Sequence, residues 1–130
     1  MIGSTALALG ENIMKRPNSG RGAMLAQVAP TFNRYTEEIL MEGLWDRPGL
    51  SQRDRSLCVI AALIALHRPD QMIGHMRTGL ENGLTRQEIA EVITHLAFYT
   101  SFPNAAVAAR KYSELIGTLD AAEKSTAAGN

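Results

Sequence analysis

Cysteine is almost missing from this sequence. Cys58 is the only one in 130 residues, so no intramolecular disulfide, no Cys-x-x-Cys redox pair and no cysteine-based zinc motif can form. A chain without disulfides fits a reducing compartment, and the cytoplasm is the expected one. Net charge is missing too, because 13 Lys and Arg offset 13 Asp and Glu. Nucleic-acid binders show a basic excess or a clustered basic face, so no nucleic-acid partner is expected. Long apolar runs are also lacking. The longest, Leu57–Leu66, has ten residues, well short of the roughly 20 that a membrane span needs, so no membrane partner is expected either. Met1–Gly10 is mildly apolar but has no basic start and meets Glu11 at once, so it reads as a mature start and not as a signal peptide. There is no Gly-rich phosphate loop and no nucleophile elbow, so neither a nucleotide nor a flavin is implied. Alternating strand patterns and β-branched runs are nearly absent.

What remains is helix. Apolar residues at 45% and charged residues at 20% are ordinary globular values, and the length suits one domain. The pattern predicts six or seven helices in a single all-α domain over residues 1–120, with a polar, frayed tail at 121–130. The first helix is expected over Thr5–Arg16, and a second over Arg21–Ala29. Pro30 resets the chain, and Thr31–Glu42 continues with Phe32, Tyr35, Ile39 and Leu40 at helical spacing. Gly43–Leu50 is the main irregular segment, with Pro48-Gly49 as its turn. Ser51 is then placed as an N-cap, with Asp54 three residues on. The following helix carries Leu57–Leu66 and is apolar all round, which predicts the most buried helix. Pro69 opens the next helix, and Asn82-Gly83 supplies a left-handed stop. Thr85 with Glu88 forms a capping box for a helix through Tyr99, and the last helix spans Asn104 to about Leu119.

Three groups of residues could carry chemistry. Glu91, His95 and Tyr99 follow one another at spacings of four and so share a stripe of one helix. A Glu one turn before a His can orient its ring and raise its pKa. The plainer reading is the polar edge of an amphipathic helix. Two His and one Glu could also ligate zinc, but the tight paired-ligand motifs are missing, so no metal is assigned. His75 lies mid-helix between Met72 and Met76, and His67 lies at a helix end, where it can meet terminal carbonyls. Arg47, Arg53 and Arg55 gather around the Pro48-Gly49 turn and the next helix start, where acids are the usual residues. Either they hold an anionic ligand with their guanidinium forks, or they pair with Asp46 and Asp54. Trp45 reads as a packing anchor. Cys58, inside the apolar run with nothing adjacent to stabilise a thiolate, reads as an inert buried thiol.

Leu44-Trp45-Asp46-Arg47-Pro48-Gly49-Leu50-Ser51, then Arg53-Asp54-Arg55-Ser56-Leu57, His75, Glu81-Asn82-Gly83-Leu84-Thr85, His95-Leu96-Ala97-Phe98-Tyr99 and Phe102-Pro103-Asn104-Ala105 resemble, in order and spacing, the carboxymuconolactone decarboxylase family. The resemblance implies the alkyl hydroperoxidase D-like fold. One branch of that family uses a Cys-x-x-Cys pair followed by a His, with a Glu upstream. With that His placed on His75, the cysteine positions fall on Arg68 and Gln71 and the Glu falls near Ser56, so thiol peroxidase chemistry is disfavoured. The Trp45–Leu50 and His95–Tyr99 segments are similar to the decarboxylase branch, which converts 4-carboxymuconolactone to an enol-lactone in aromatic-acid catabolism without a cofactor. What this implies is a carboxy-lyase with His75 and His95 as catalytic groups. Arg47, Arg53, Arg55 and Tyr99 would then bind a small anionic substrate, with Glu91 and Trp45 behind them. A related proton-transfer enzyme on another keto acid or lactone, or a non-catalytic oligomeric member, is the alternative. Short apolar helices, zero net charge and the resemblance together predict a homo-oligomer, a trimer or hexamer.

Overall fold

The structure, a computed structural model, describes residues 21–129. The expected helix at Thr5–Arg16 and the reading of Met1–Gly10 lie outside the described residues. Among the described residues there are six α-helices and no strand, as the missing alternation predicts. They are α1 (Arg21–Val28), α2 (Pro30–Tyr35), α3 (Gln52–Ala65), α4 (Pro69–Glu81), α5 (Arg86–Tyr99) and α6 (Phe102–Ala128). A π-helical stretch, Thr36–Leu44, continues α2. Contacts cluster the chain into two units that divide between Arg55 and Ser56, inside α3.

In the first unit, Pro30 occupies the first turn of α2, where its missing N–H would have no helical partner anyway. The helix expected to end at Glu42 runs on to Leu44 with wider turns. The Trp45 N–H closes this stretch on the Leu40 carbonyl, five residues back, at 3.0 Å. Gly43 suits that turn, because a Cβ there would lie 3.3 Å from the Glu38 carbonyl oxygen. No residue of Gly22–Leu44 is buried. Trp45 is, at 4% exposure.

The second unit holds the hydrophobic core. Ile60 and Ile64 of α3, Met72 and Met76 of α4, Leu84, Ile89 and Ile93 of α5, and Ala105, Ala108 and Leu115 of α6 form one cluster. Both α4 and α5 pack on α6, whose small Ala105 and Ala108 permit close approach. At Gly79 a Cβ would lie 2.9 Å from Leu84 Cδ1 and 3.0 Å from Ile60 Cδ1, so the glycine is a packing residue.

Both expected capping signals form. The Ser51 hydroxyl accepts the Asp54 N–H at 3.0 Å, and Thr85 and Glu88 exchange both bonds of a capping box, at 3.1 and 2.9 Å. Helices α3 and α4 end in the same way. Arg68 N–H bonds to the Leu63 carbonyl and His67 N–H to Ile64; Leu84 N–H bonds to Gly79 and Gly83 N–H to Leu80. These are two Schellman ends, with His67 at φ 53° and Gly83 at φ 109° in the left-handed position.

Two further expectations fail. Helix α3 is not buried all round: its buried residues are Ser56, Ile60 and Ile64, a single stripe at spacing four, and Cys58 lies off that stripe and is exposed. The apolar run was long enough for every face, but the second unit supplies partners for only one. And α6 does not fray after Leu119 but continues to Ala128. Arg86, at the start of α5, binds Asp120 at 2.8 Å and Glu123 at 3.5 Å, and the Tyr112 hydroxyl donates to the Arg86 carbonyl at 2.7 Å.

Candidate active site

In the second unit, helix α5 places His95 and Tyr99 one turn apart, and the rings meet at 4.7 Å between centroids with a 35° tilt. The predicted stripe therefore exists as a ring pair. Glu91, one turn earlier, is exposed, and its carboxylate makes no hydrogen bond to His95. Beside the pair, Phe98 and Phe102 meet edge to face at 5.4 Å. All four rings are solvent-facing, with Phe98 and Tyr99 each 75% exposed. Ser101 ends this patch by accepting the Asn104 N–H at 3.2 Å as the N-cap of α6. The Asn104 amide then donates to the Ile64 carbonyl at 3.3 Å, fastening the end of α3. His75 sits on α4, half-buried, between the fully buried Met72 and Met76. It is thus held on a rigid helix at the edge of the core.

In the first unit, the three arginines separate by what they touch. Arg53 Nη1 pairs with Asp54 at 3.1 Å. Arg55 Nη2 donates to the main-chain carbonyl of Arg47 at 3.0 Å. Arg47 is exposed, and its guanidinium has no hydrogen bond or ion pair among the described residues. Gln52 donates to the Trp45 carbonyl, so two side chains of the first turn of α3 hold the turn that precedes it. The fastening roles of Gln52 and Asn104 were not read from the sequence, because a polar residue beside a turn carries no periodic signal. Among the described residues, no three His, Cys, Asp or Glu side chains converge as a metal site would need, and no helix is long and apolar enough to cross a membrane.

Residues 30–114 match the model of the carboxymuconolactone decarboxylase family. Over 72 residues the chain is 38% identical to a 4-carboxymuconolactone decarboxylase of Acinetobacter baylyi, covering 55% of this chain and 54% of that protein. Over 80 residues it is 32% identical to a nitrosuccinic acid decarboxylase of Metarhizium robertsii, covering 58% and 56%. The chain thus spans about half the length of the curated relatives it matches.

Proposed function

The chain belongs to the carboxymuconolactone decarboxylase family, and from that premise we propose that it is a cofactor-independent carboxy-lyase acting on a small anionic lactone such as 4-carboxymuconolactone. The observation that carries the reading is the family match over residues 30–114, together with two relatives that are both named as decarboxylases. In 4-carboxymuconolactone the departing carboxylate sits on a ring carbon conjugated through a double bond to the lactone carbonyl. As the C–C bond to carbon dioxide breaks, its electron pair moves through the ring to the carbonyl oxygen as a dienolate. A proton then returns to carbon. The substrate is its own electron sink, so the protein has three tasks: hold a dianion, stabilise an oxyanion and deliver a proton.

Arginine forks suit the first task, and His75, His95 and the Tyr99 hydroxyl suit the other two. Nitrosuccinic acid makes the same demand. Losing the carboxylate next to its nitro group leaves a nitronate, so a diacid with a built-in electron acceptor is the substrate class common to both names. Thiol chemistry has no place in this scheme, because Arg68 and Gln71 stand where the redox branch has cysteines and Cys58 is the only thiol. We place the protein in the cytoplasm. We also propose that it works as a homo-oligomer, a trimer or hexamer of this chain, since Phe32, Ile39, Phe98 and Phe102 are exposed large apolar residues and zero net charge opposes no association.

Purified protein, given 4-carboxymuconolactone or nitrosuccinate without added metal, should release carbon dioxide. Removing a positioned acid or oxyanion donor costs about a hundred- to a thousandfold in rate, so His75→Ala and His95→Ala should each lose that much with the helical circular dichroism intact. A wild-type protein inert on both acids, or a doubly substituted one with full turnover, overturns the reading.

A further inference from the structure

The arginines of the turn do not have equal roles. Arg53 spends its charge on Asp54. Arg55 reaches back eight residues to the main chain of Arg47 through Nη2, while its Nε is buried without a hydrogen-bond partner. The carbonyl that it takes belongs to Arg47, whose exposed guanidinium makes no hydrogen bond or ion pair among the described residues. Gln52 fixes the carbonyl of buried Trp45 two residues earlier, and Pro48 follows directly. The base of the Arg47 side chain is therefore held on both sides, while its charged end stays in solvent.

We propose that Arg47 is the residue that takes a substrate carboxylate, and that Arg55 is a positioning residue that acts through Arg47. The proposal rests on the anionic-substrate reading above. An exposed arginine on a mobile turn loses much of its binding energy to the entropy of ordering it. Tying the Arg47 carbonyl removes the main-chain part of that cost in advance and leaves the planar fork free for a bidentate carboxylate contact.

The test is a double-substitution cycle read in KM and kcat on 4-carboxymuconolactone. Arg47→Ala should raise KM about ten- to a hundredfold, the loss expected for a charge-assisted hydrogen-bonded pair, with little change in kcat. Arg55→Ala should raise KM with the same split. Because its effect runs through Arg47, the double variant should be no worse than Arg47→Ala alone. Arg55→Lys, which keeps a donor that can reach the carbonyl, should recover part of the loss and serves if Arg55→Ala does not fold. Arg53→Ala should raise KM less than Arg47→Ala. Additive KM effects, an unchanged KM in Arg47→Ala, or a larger effect at Arg53 would each overturn the proposal.

If the wild-type protein turns over neither acid, the functional reading fails, and the arginine assignment is judged by phenylglyoxal labelling mapped by mass spectrometry. Arg47 should then be modified first and be shielded by adipate but not by chloride at equal ionic strength. Shielding at Arg53 instead, or at no arginine, rejects it.

Discussion

Residues 21–44 and the helices of the second unit carry the same kind of pattern, apolar side chains at helical spacing, with opposite outcomes. Ile60, Ile64, Met72, Met76 and Ile89 are almost completely buried, whereas Phe32 is 59% and Ile39 62% exposed. Periodicity makes a helix amphipathic, but it does not say what covers the apolar side. In the second unit, α6 supplies the cover, because α4 and α5 both lie on it. Residues 22–44 include no buried residue, and this exposed apolar stripe is what motivates the assembly proposed above.

The largest break of this contrast should come from the core. Ile64→Ala removes a side chain with no exposure and leaves a cavity, and should cost about 2–5 kcal/mol in denaturant unfolding. A loss below 1 kcal/mol would mean that the second unit is far looser than its burial shows.

A second comparison lies inside the first, between the two Schellman ends. Gly83→Ala puts a Cβ at φ 109° and should cost about 1–2 kcal/mol. His67→Gly should do the reverse and raise the melting temperature, because His67 already bears the left-handed strain at φ 53°. Equal responses of the two variants would show that the shared hydrogen bonds matter and the residue types do not.

Next in size is the fastening of α5 to α6. Tyr112→Phe deletes the 2.7 Å bond to the Arg86 carbonyl and should cost about 0.5–1.5 kcal/mol. Burial raises the Tyr112 pKa above its ordinary value, and nearby Arg86 lowers it by less. The folded state therefore keeps this phenol protonated where the unfolded chain loses the proton. Its contribution is complete below the ordinary tyrosine pKa of about 10 and is lost as pH rises through the folded value. Wild type should lose stability in that alkaline window more steeply than Tyr112→Phe in parallel melts.

The smallest effect belongs to the exposed stripe. Phe32→Ala should change the stability of the dilute protein by less than about 0.5 kcal/mol, and should lower the melting temperature only at concentrations where copies associate. A concentration-independent drop would abolish the contrast between the two regions.

Much of the helical framework was legible because it rests on local chemistry. Pro30 and Pro69 as helix openers, Ser51 and Thr85 as caps and Asn82-Gly83 as a stop act within one turn of chain, so their neighbours in sequence are their neighbours in space. The Glu91–His95–Tyr99 spacing foretold a shared face for the same reason, and the His95–Tyr99 ring pair is its product. The wider turns of Thr36–Leu44 were not legible, because hydrogen bonds to the fifth residue back differ from those to the fourth by a single position and leave the apolar pattern readable as either. Nor was the exposure of Cys58, since which face of an all-apolar helix is buried depends on where the other helices lie. The same holds for the arginines. Their gathering at the turn was written in the sequence, but only folding decided that Arg53 meets Asp54, that Arg55 meets the Arg47 carbonyl and that Arg47 keeps its charge free. Those outcomes depend on the path of the main chain through the turn, and no residue pattern encodes that path one position at a time.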